Sequence, residues 1–438
     1  MTTTTPIRVA IVGGGIGGLT LLLGLLEHTS PIYIQPHLYE TAPAFGEIGA
    51  GIAFGSNSIR AMELLKPAIA TAYKKHATFH SDDSARERKV WSTYSMGMDG
   101  KGSNTLKAGD HIHEVRGSVE RSSVHRARFL EAMTDLLPDG YVSFGKKLID
   151  LIENSETNTI TLVFEDGTTM EADAVIGCDG IKSRIRQILL GDQNADAAFT
   201  GKYAYRGLIP MGEATAAVGE WAANNAQFYW GYDGHVLTFP IEHGKTMNVV
   251  AFRTKDDGKW DHGSQWVLPG DKTNMLREFE DWGDDVKAIL GMMTKTDIWA
   301  LCDHPPADTY YKKGNICLLG DAAHATTPHQ GSGAGMAIED AFVLSHLLSH
   351  IRNKSQLESV FAAYDTVRRP RTQKLVTTSR EAGELYEFQK PGVGDDVDAL
   401  RANLDGRMRW VWDIDLVQHL KEAELLFREY NGQSDSKI

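Results

Sequence analysis

Three glycines near the N-terminus constrain the fold more than any other feature of this sequence. They are spaced as Gly13-x-Gly15-x-x-Gly18 and follow a β-branched run, Arg8–Val12. A leucine-rich segment, Leu19–Glu27, comes directly afterwards and is typical of a helix that is buried on several sides. A strand, a tight glycine turn and a helix in this order predict a βαβ unit with a parallel sheet.

Each glycine has a separate physical role in such a turn. Gly13 allows the tight bend, Gly15 lets a pyrophosphate approach the backbone, and Gly18 lets the helix pack closely on the strand. Unpaired N–H groups at the helix start, around Ile16, favour negative charge. Glu40 ends the next strand, where its carboxylate is expected to accept hydrogen bonds from an adenosine ribose. The sequence therefore predicts a dinucleotide site; a glycine-rich turn without a ligand is the alternative.

The composition is that of an ordinary globular protein, with 438 residues of which 42% are hydrophobic and 24% charged. This length predicts two or three domains, or one large α/β body with an insertion. The chain has 45 Lys and Arg residues against 58 Asp and Glu residues, which gives a net charge of −13. An acidic chain lacks the basic face that neutralises phosphates, so we expect no nucleic-acid partner. An anionic ligand would have to rely on a few local cations.

The cysteines, the apolar runs and the last residues of the sequence indicate the cellular location of the protein. The cysteines Cys178, Cys302 and Cys317 form no C-x-x-C pair, which favours a reducing compartment and a cytoplasmic protein. The apolar run Ile16–Leu26 is shorter than the roughly 20 residues that span a bilayer, so we expect no membrane partner. The last residues, Ser436-Lys437-Ile438, differ by one conservative change from a peroxisomal S-K-L address. A peroxisomal location is therefore the alternative.

Two later segments indicate which dinucleotide is bound. Asp179 and Asp321 each follow a strand, and a carboxylate in that position can bind a ribityl hydroxyl. Glycines at the start of a following helix, within residues 328–335, can cradle a second anion or a flat ring. A nicotinamide dehydrogenase needs no ribityl contact so late in the chain, whereas a flavin does. We therefore predict FAD as the cofactor, with these later contacts: Asp179, Asp321, Pro328, Gly331, Gly333 and Ala334.

These motifs together resemble the FAD-dependent class A aromatic hydroxylases, over nearly the whole chain. Glu47–Ile52, Ala204–Gly207 and Ala325–Gly331 are most similar to the salicylate hydroxylase branch, although fungal relatives that hydroxylate or dearomatise phenols are similar there too. The resemblance implies that NADH or NADPH reduces FAD, and that oxygen forms a flavin C4a-hydroperoxide which hydroxylates a phenol. It also implies that Gly51 and Arg126 lie at the cofactor; a solvated helix-surface charge is the alternative for Arg126.

The order of elements and the resemblance predict an α/β fold. A Rossmann-type FAD-binding domain is interrupted by an antiparallel β-sheet substrate domain and followed by a C-terminal helical region. The expected FAD-binding parts are residues 1–80, 121–195 and 306–375. The expected substrate domain comprises residues 81–120 and 196–305, and the helical region residues 376–438.

Three residues are candidates for catalysis, because a phenol must be activated by a base or a cation at neutral pH. His235 lies on a strand entering the presumed pocket and can take the phenol proton as a neutral imidazole. Arg206, expected at a strand end, can stabilise a phenolate or a carboxylate. His329 is expected beside the flavin ring. The alternative for His235 is a histidine at a turn whose hydrogen bonds are made within the protein. The alternative for Arg206 is a structural ion pair.

Substrate-binding roles are expected for Arg253, Phe239 and Trp230. Arg253 ends a strand and can guide a substrate carboxylate, while the two aromatic rings are expected to wall the pocket, with core packing as their alternative. No cluster of residues has the spacing of a metal site, so we expect no metal.

The sequence thus predicts a monooxygenase that uses FAD, NAD(P)H and molecular oxygen on a small phenolic acid. The specific prediction is conversion of salicylate to catechol with decarboxylation, by a monomer or homodimer. The alternatives are hydroxylation or dearomatisation of another phenol without loss of CO2, a flavin oxidase or reductase, and a non-catalytic module built on a flavoprotein fold.

Overall fold

The computed structural model describes residues 5–46, 51–191, 195–312 and 315–435. Glu47–Ala50, part of a segment that carries the resemblance, and the terminal Ser436–Ile438 lie outside the described residues. The strands are β1 (Ile7–Val12), β2 (Ile34–Tyr39), β3 (Gly51–Ala53), β4 (Thr78–Phe79), β5 (Val90–Met96), β6 (His111–Arg116), β7 (Ser122–His125), β8 (Val142–Ser143), β9 (Leu148–Asn154), β10 (Thr159–Phe164), β11 (Thr169–Ala172), β12 (Ala174–Gly177), β13 (Ala198–Pro210), β14 (Gln227–Gly231), β15 (Gly234–Ile241), β16 (Thr246–Thr254), β17 (Val267–Leu268), β18 (Ile298–Asp303), β19 (Tyr311–Lys312) and β20 (Ile316–Leu318). The α-helices are α1 (Ile16–His28), α2 (Ser56–Leu65), α3 (Pro67–His76), α4 (Asp83–Glu87), α5 (Arg126–Thr134), α6 (Arg184–Leu190), α7 (Met211–Val218), α8 (Glu220–Asn224), α9 (Lys272–Glu278), α10 (Asp284–Met292), α11 (Asp321–His324), α12 (Gly333–Ser349), α13 (Leu357–Tyr386), α14 (Val397–Arg407), α15 (Arg409–Trp412) and α16 (Leu416–Asp435).

A six-stranded sheet forms the first layer, in the order β19-β20-β12-β1-β2-β8. The strands β20, β12, β1, β2 and β8 run parallel, and β19 is antiparallel at one edge. The central strand β1 is almost wholly buried and belongs to the same apolar core as α1 and α12. A continuous β-branched run suits a strand that is buried on both faces. The predicted α/β class is confirmed.

An eight-stranded sheet forms the second layer, in the order β17-β18-β13-β16-β15-β14-β5-β6. Its pairs are antiparallel apart from β14 and β5. Side chains alternate between two faces along each strand. The helix face is buried under residues of α9 and α10 and the segment between them, and carries Tyr205, Val236, Val249 and Ala251. The opposite face, here called the pocket face, carries Arg206, His235, Leu237, Val250 and Phe252.

A small sheet, β3-β7-β4, connects the two layers. The Gly51 N–H donates to Asn248 Oδ1 at 3.0 Å, and Ser123 Oγ donates to the Pro240 carbonyl at 2.6 Å. These bonds join the segment around Gly51 to the pocket face of the large sheet. A separate antiparallel meander, β9-β10-β11, precedes β12.

The long helix α13 runs from Leu357 to Tyr386, through Pro370 and through the domain boundary expected between residues 375 and 376. A buried ion network holds its first half, because Arg368 binds both Glu339 and Asp340 of α12 at 2.7 Å. Its last turn reaches the pocket face. The helical region and the FAD-binding part thus share one helix, so the expected boundary does not separate two elements. Among the described residues, no helix is long and apolar enough to cross a membrane.

Candidate active site

The glycine turn after β1 has the geometry that a pyrophosphate needs. Gly13 has φ +108°, and a Cβ there would lie 2.3 Å from the Cys178 carbonyl oxygen. A Cβ on Gly18 would lie 2.0 Å from the Gly13 oxygen, so helix and strand pack only because that atom is missing. At Gly15, by contrast, no heavy atom of the described residues, apart from its chain neighbours, lies within 4 Å of an added Cβ. The open space at the start of α1 fits a phosphate group at the helix N-terminus.

Glu40 lies directly after β2, at the edge of the same turn. Its carboxylate accepts hydrogen bonds from the Gly14 N–H at 2.6 Å and the Ala42 N–H at 2.7 Å. Glu40 therefore ties the glycine turn to the loop after β2. Its predicted contact with a ribose uses the remaining lone pairs and stays a prediction.

The two strand-end aspartates have different surroundings. Asp179 binds the start of α6, since its carboxylate accepts bonds from Ser183 Oγ at 2.5 Å and the Ile185 N–H at 3.2 Å. Burial raises the pKa of Asp179, and these hydrogen bonds act in the opposite direction. Asp321 begins α11, is exposed, and makes no side-chain hydrogen bond with the part of the chain that the structure describes. Asp321 is thus the more available of the two for a ribityl hydroxyl.

A second glycine turn leads into α12. Pro328–Gln330 form one turn of 3₁₀-helix, Gly331 follows with φ +59°, and α12 begins at Gly333. The first turn of α12 has no acidic residue, and Ala334 is only half-buried. The 17-residue helix therefore presents a free N-terminus beside the pocket, where its dipole favours an electron-rich flavin edge.

The centre of the pocket face is less buried than its surroundings and is here called the hollow. Leu237 on β15, Val250 on β16 and Arg206 on β13 are neighbours in register and are each partly exposed. The next rung of the same face, His235 and Phe252, is buried. Partly exposed apolar side chains inside a ring of buried ones indicate a cavity over the middle of the sheet.

His235 is fully buried beside this hollow. Its ring stacks on Phe252 with centroids 4.1 Å apart, and its Nδ1 lies 3.0 Å from Glu387 Oε1. Its Nε2 makes no hydrogen bond to a described residue. Burial lowers the pKa of His235, so the imidazole is neutral at pH 7.

His329 lies opposite His235, with ring centroids 5.2 Å apart. Both of its ring nitrogens are buried and without a hydrogen-bond partner within the described ranges. Burial, and then the nearby His235, hold the pKa of His329 well below its usual range. A Cβ on Gly383 of α13 would lie 2.6 Å from His329 Nε2, so a glycine is needed there. Buried polar atoms of this kind are rare in proteins and mark a ligand site.

Arg206 lies in the middle of the 13-residue strand β13, which corrects the expected strand-end position. The strand continues because Gly207 to Pro210 pair with residues 246–249 of β16. Its guanidinium lies over the Trp299 ring at 4.5 Å and forms no ion pair with a described carboxylate. Burial, and then the charge of Arg126, lower the pKa of Arg206 to about 10. The structure therefore brings Arg206 and Arg126 together as two neighbouring cations.

The residues expected to bind substrate lie in three different places. Arg253 pairs in register with Tyr203 on the helix face, and its guanidinium lies 5.3 Å from the Phe279 ring. The sheet therefore separates Arg253 from His235 and Arg206, because successive side chains of a strand point to opposite faces. Trp230 is on the pocket face but is fully buried, stacked on Tyr386 at 5.0 Å.

Phe239 packs against Gly51, where an added Cβ would lie 2.5 Å from its ring. This contact sets the distance between the small sheet β3-β7-β4 and the pocket face. Phe239 therefore borders the hollow at its Gly51 end.

The sequence reasoning missed Glu387 and Lys202. Glu387 is fully buried at the end of α13, bound to His235 and to Lys202 Nζ. Glu387 is 152 positions from His235 in the chain, and no spacing rule links them. The one sequence signal is a charged residue inside an otherwise apolar stretch, Leu385–Phe388. Within the described residues no group of three His, Cys, Asp or Glu side chains could hold a metal ion.

Comparisons with known proteins agree with this geometry. The family described as an FAD binding domain matches residues 126–379. A 6-methylsalicylate 1-monooxygenase from Aspergillus terreus is 42% identical over 433 residues, which cover 98% of this chain and 94% of that protein. A salicylate hydroxylase from Pseudomonas putida is 38% identical over 429 residues, covering 95% of this chain and 94% of that protein.

Among solved structures, a salicylate hydroxylase substrate complex superposes with a TM-score of 0.82 at 36% identity, covering 95% of this chain and 98% of that one. These matches extend over the six-stranded sheet and the eight-stranded sheet alike. They confirm FAD as the cofactor. NAD(P)H is the reductant that is typical of such enzymes. The chain belongs to the FAD-dependent monooxygenases of the salicylate hydroxylase type.

Proposed function

We propose that the enzyme hydroxylates a small salicylate-type phenolic acid at the carbon that bears the carboxylate, with release of CO2. The observation that carries the proposal is the grouping of His235 Nε2, His329 and Arg206 around one hollow of the pocket face. A base and a cation are the two groups that a phenol and a carboxylate require. The relative named for 6-methylsalicylate, whose name assigns its oxygen insertion to carbon 1, supports the same position of attack.

The proposed roles follow from the chemistry of each side chain. His235 Nε2 accepts the phenolic proton, because the buried imidazole is neutral and Nε2 has no hydrogen-bond partner among the described residues. Arg206 neutralises the substrate carboxylate, and the neighbouring Arg126 adds to the local positive potential. Leu237 and Val250 form an apolar floor that fits the aromatic ring and a small alkyl substituent.

The cofactor is held by the glycine turn at Gly13, Gly15 and Gly18, by Glu40 and Asp321, and by the start of α12. These assignments remain proposals that rest on the open space at Gly15 and on the available carboxylate of Asp321. Bound FAD supplies the electrons from NAD(P)H and activates oxygen. His235, Phe252 and His329 are buried at one side of the hollow, which limits the access of water to the reacting atoms.

The overall reaction balances with one hydride and two protons. Salicylate, O2, NAD(P)H and two protons yield catechol, CO2, water and NAD(P)+. An aerobic assay of the FAD-loaded enzyme with salicylate and 6-methylsalicylate should consume NAD(P)H and release one CO2 for each catechol-type product. Product masses that retain the carboxylate would instead establish hydroxylation or dearomatisation without decarboxylation. Hydrogen peroxide as the only product with every phenolic acid would overturn the proposal.

A further inference from the structure

Three polar side chains, Glu387, Lys202 and Thr254, form a cluster with His235, on the side of the ring away from the hollow. Glu387 Oε2 accepts hydrogen bonds from Lys202 Nζ and from Thr254 Oγ1, each at 2.5 Å, and Glu387 Oε1 lies 3.0 Å from His235 Nδ1. The side chains of Glu387 and His235 are fully buried. Lys202 is 7% exposed. None of this cluster is used by the roles proposed above, apart from His235 itself.

The chain turns sharply to place Glu387 there. Glu387 follows the last residue of α13, and Phe388 has φ +58°, a left-handed conformation that is unfavourable for a bulky residue. The Phe388 ring is held against Trp230 and Tyr232. Strain of this kind persists where the surrounding packing enforces it, and it is common at functional sites.

The hydrogen-bond donors around Glu387 determine its charge. Burial disfavours the ionised carboxylate, but the hydrogen bond with His235 and the charge of Lys202 outweigh burial and lower the pKa of Glu387. A lysine ammonium has donors only, and an ionised carboxylate has acceptors only. His235 Nδ1 must therefore donate to Glu387, which leaves the lone pair of the ring on Nε2.

We propose that Glu387 is a positioning residue that holds His235 in the Nδ1–H tautomer, so that Nε2 is the atom that accepts the phenolic proton. This inference rests on the proposed function. In the step itself the phenolic O–H bond breaks, an N–H bond forms at Nε2, and the resulting imidazolium is stabilised by the Glu387 carboxylate. The other titratable groups that face His235 are His329, Tyr386 of α13 and Lys202 of β13.

The substitution Glu387→Gln tests the tautomer directly. Its amide oxygen must face Lys202, so its NH2 group faces His235 and donates to Nδ1. The ring is then forced into the Nε2–H tautomer, which has no lone pair for the phenol. We expect kcat/KM for salicylate to fall about 100-fold or more, while FAD content and the dissociation constant of salicylate change less than threefold. NAD(P)H oxidation should continue with peroxide as its product.

A spectroscopic signature separates this role from a structural one. The visible absorbance of bound 5-nitrosalicylate reports the ionisation of its phenol in the oxidised holoenzyme. In E387Q, the pH at which the bound phenol ionises should rise by at least one unit above that of the wild-type enzyme. An unchanged midpoint together with unchanged kcat/KM would overturn the inference.

A rescue variant covers the case in which E387Q does not fold because the buried charge of Lys202 has lost its counter-ion. In the double variant E387Q/K202M the amide NH2 can face Thr254 Oγ1, so the amide oxygen again accepts from His235 Nδ1. This variant should exceed E387L/K202M at least tenfold in kcat/KM, because leucine has no acceptor. Equal activity of the two double variants would contradict the role of Glu387. If the wild-type enzyme converts no phenolic acid, the proposed function fails instead, and the nitrosalicylate midpoints still test Glu387.

Discussion

His235 and His329 face each other with ring centroids 5.2 Å apart, although 94 residues separate them in the sequence. His235 Nε2 and both nitrogens of His329 have no hydrogen-bond partner among the residues that the structure describes. Burial lowers the pKa of each ring, so two neutral imidazoles lie side by side next to the hollow. A neutral imidazole with an unpaired nitrogen can accept a proton from a phenol.

The first prediction concerns the base. His235→Gln should lower kcat for substrate hydroxylation by roughly 100-fold or more, because general-base catalysis typically contributes that much. His111→Gln, at an exposed site on β6, is the matched control and should retain wild-type turnover. Product formation by chromatography checks both. Wild-type hydroxylation by H235Q would remove His235 from the proposed mechanism.

The second prediction separates two arginines on adjacent strands. Arg206→Gln should raise the KM for salicylate by about 10-fold or more, since a charge-assisted hydrogen bond contributes about 1.5–3 kcal/mol. Arg253→Gln should leave KM within twofold, because Arg253 lies on the helix face against Phe279. Steady-state kinetics with both variants tests this assignment. A larger effect of R253Q than of R206Q would place the carboxylate on the other side of the sheet.

The third prediction separates two glycines of the same turn. Gly18→Ala should lower the melting temperature of the protein, because the new Cβ would lie 2.0 Å from the Gly13 oxygen. Gly15→Ala has room in the protein itself and an ordinary φ of −72°. It should leave the stability of the FAD-free protein unchanged and weaken FAD binding. Thermal unfolding without FAD and a flavin titration distinguish the two effects; equal loss of stability would contradict the role of Gly15.

The fourth prediction concerns the ion network between α12 and α13. Arg368→Met leaves Glu339 and Asp340 with less compensation for their buried charges, and breaking a buried pair costs about 3–5 kcal/mol. Lys287→Met removes an exposed pair with Asp284 and should cost less than about 1 kcal/mol. Urea unfolding measures both changes. A loss in R368M as small as that in K287M would show that the network does not stabilise the fold.

The fifth prediction is the pH dependence of stability. Burial, and then the charge of Arg121, lower the pKa of His80 to about 3, far below the value of about 6.5 in an unfolded chain. The unfolded state therefore binds the extra proton, and stability falls as the pH drops from about 6.5 towards 3. His80→Gln should reduce the slope of unfolding free energy against pH by about 1.4 kcal/mol per unit between pH 6 and 4.

The glutamine side chain of the H80Q variant keeps an acceptor for the Ala226 N–H, whose hydrogen bond His80 Nε2 accepts at 3.2 Å. A change in the pH slope between the wild type and H80Q is therefore not caused by loss of that hydrogen bond. The exposed variant H111Q is the control and should keep the wild-type slope. An unchanged slope in H80Q would mean that His80 does not titrate on unfolding.

The local chemistry of the cofactor region is predictable from the sequence because it depends on neighbouring residues. The spacing of Gly13, Gly15 and Gly18 specifies a bend, an open approach and a close packing contact, and all three occur as expected. The resemblance to aromatic hydroxylases is confirmed by relatives that match nearly the whole chain. Asp321 and the start of α12 likewise follow directly from a strand and a glycine turn.

The pocket is different, because it depends on which face of the sheet each side chain takes. The sequence made both Arg206, as a catalytic candidate, and Arg253, as a substrate-binding candidate, possible partners of a substrate carboxylate. The register of β13 and β16 puts them on opposite faces of the sheet. A shift of one residue in the pairing register of a strand moves its side chains to the opposite face of the sheet. The amino-acid composition does not show which register the strand adopts.

The sequence by itself determined the α/β class and the FAD cofactor, since these follow from short-range patterns of strands, turns and helices, and the resemblance of its motifs to aromatic hydroxylases indicated the family. The tertiary structure alone decided that Glu387, at the end of a 30-residue helix, contacts His235 in the middle of the chain. The physical reason is that a buried carboxylate must find its donors across the fold, and Lys202, Thr254 and His235 supply them only after the sheet and the helix have packed together.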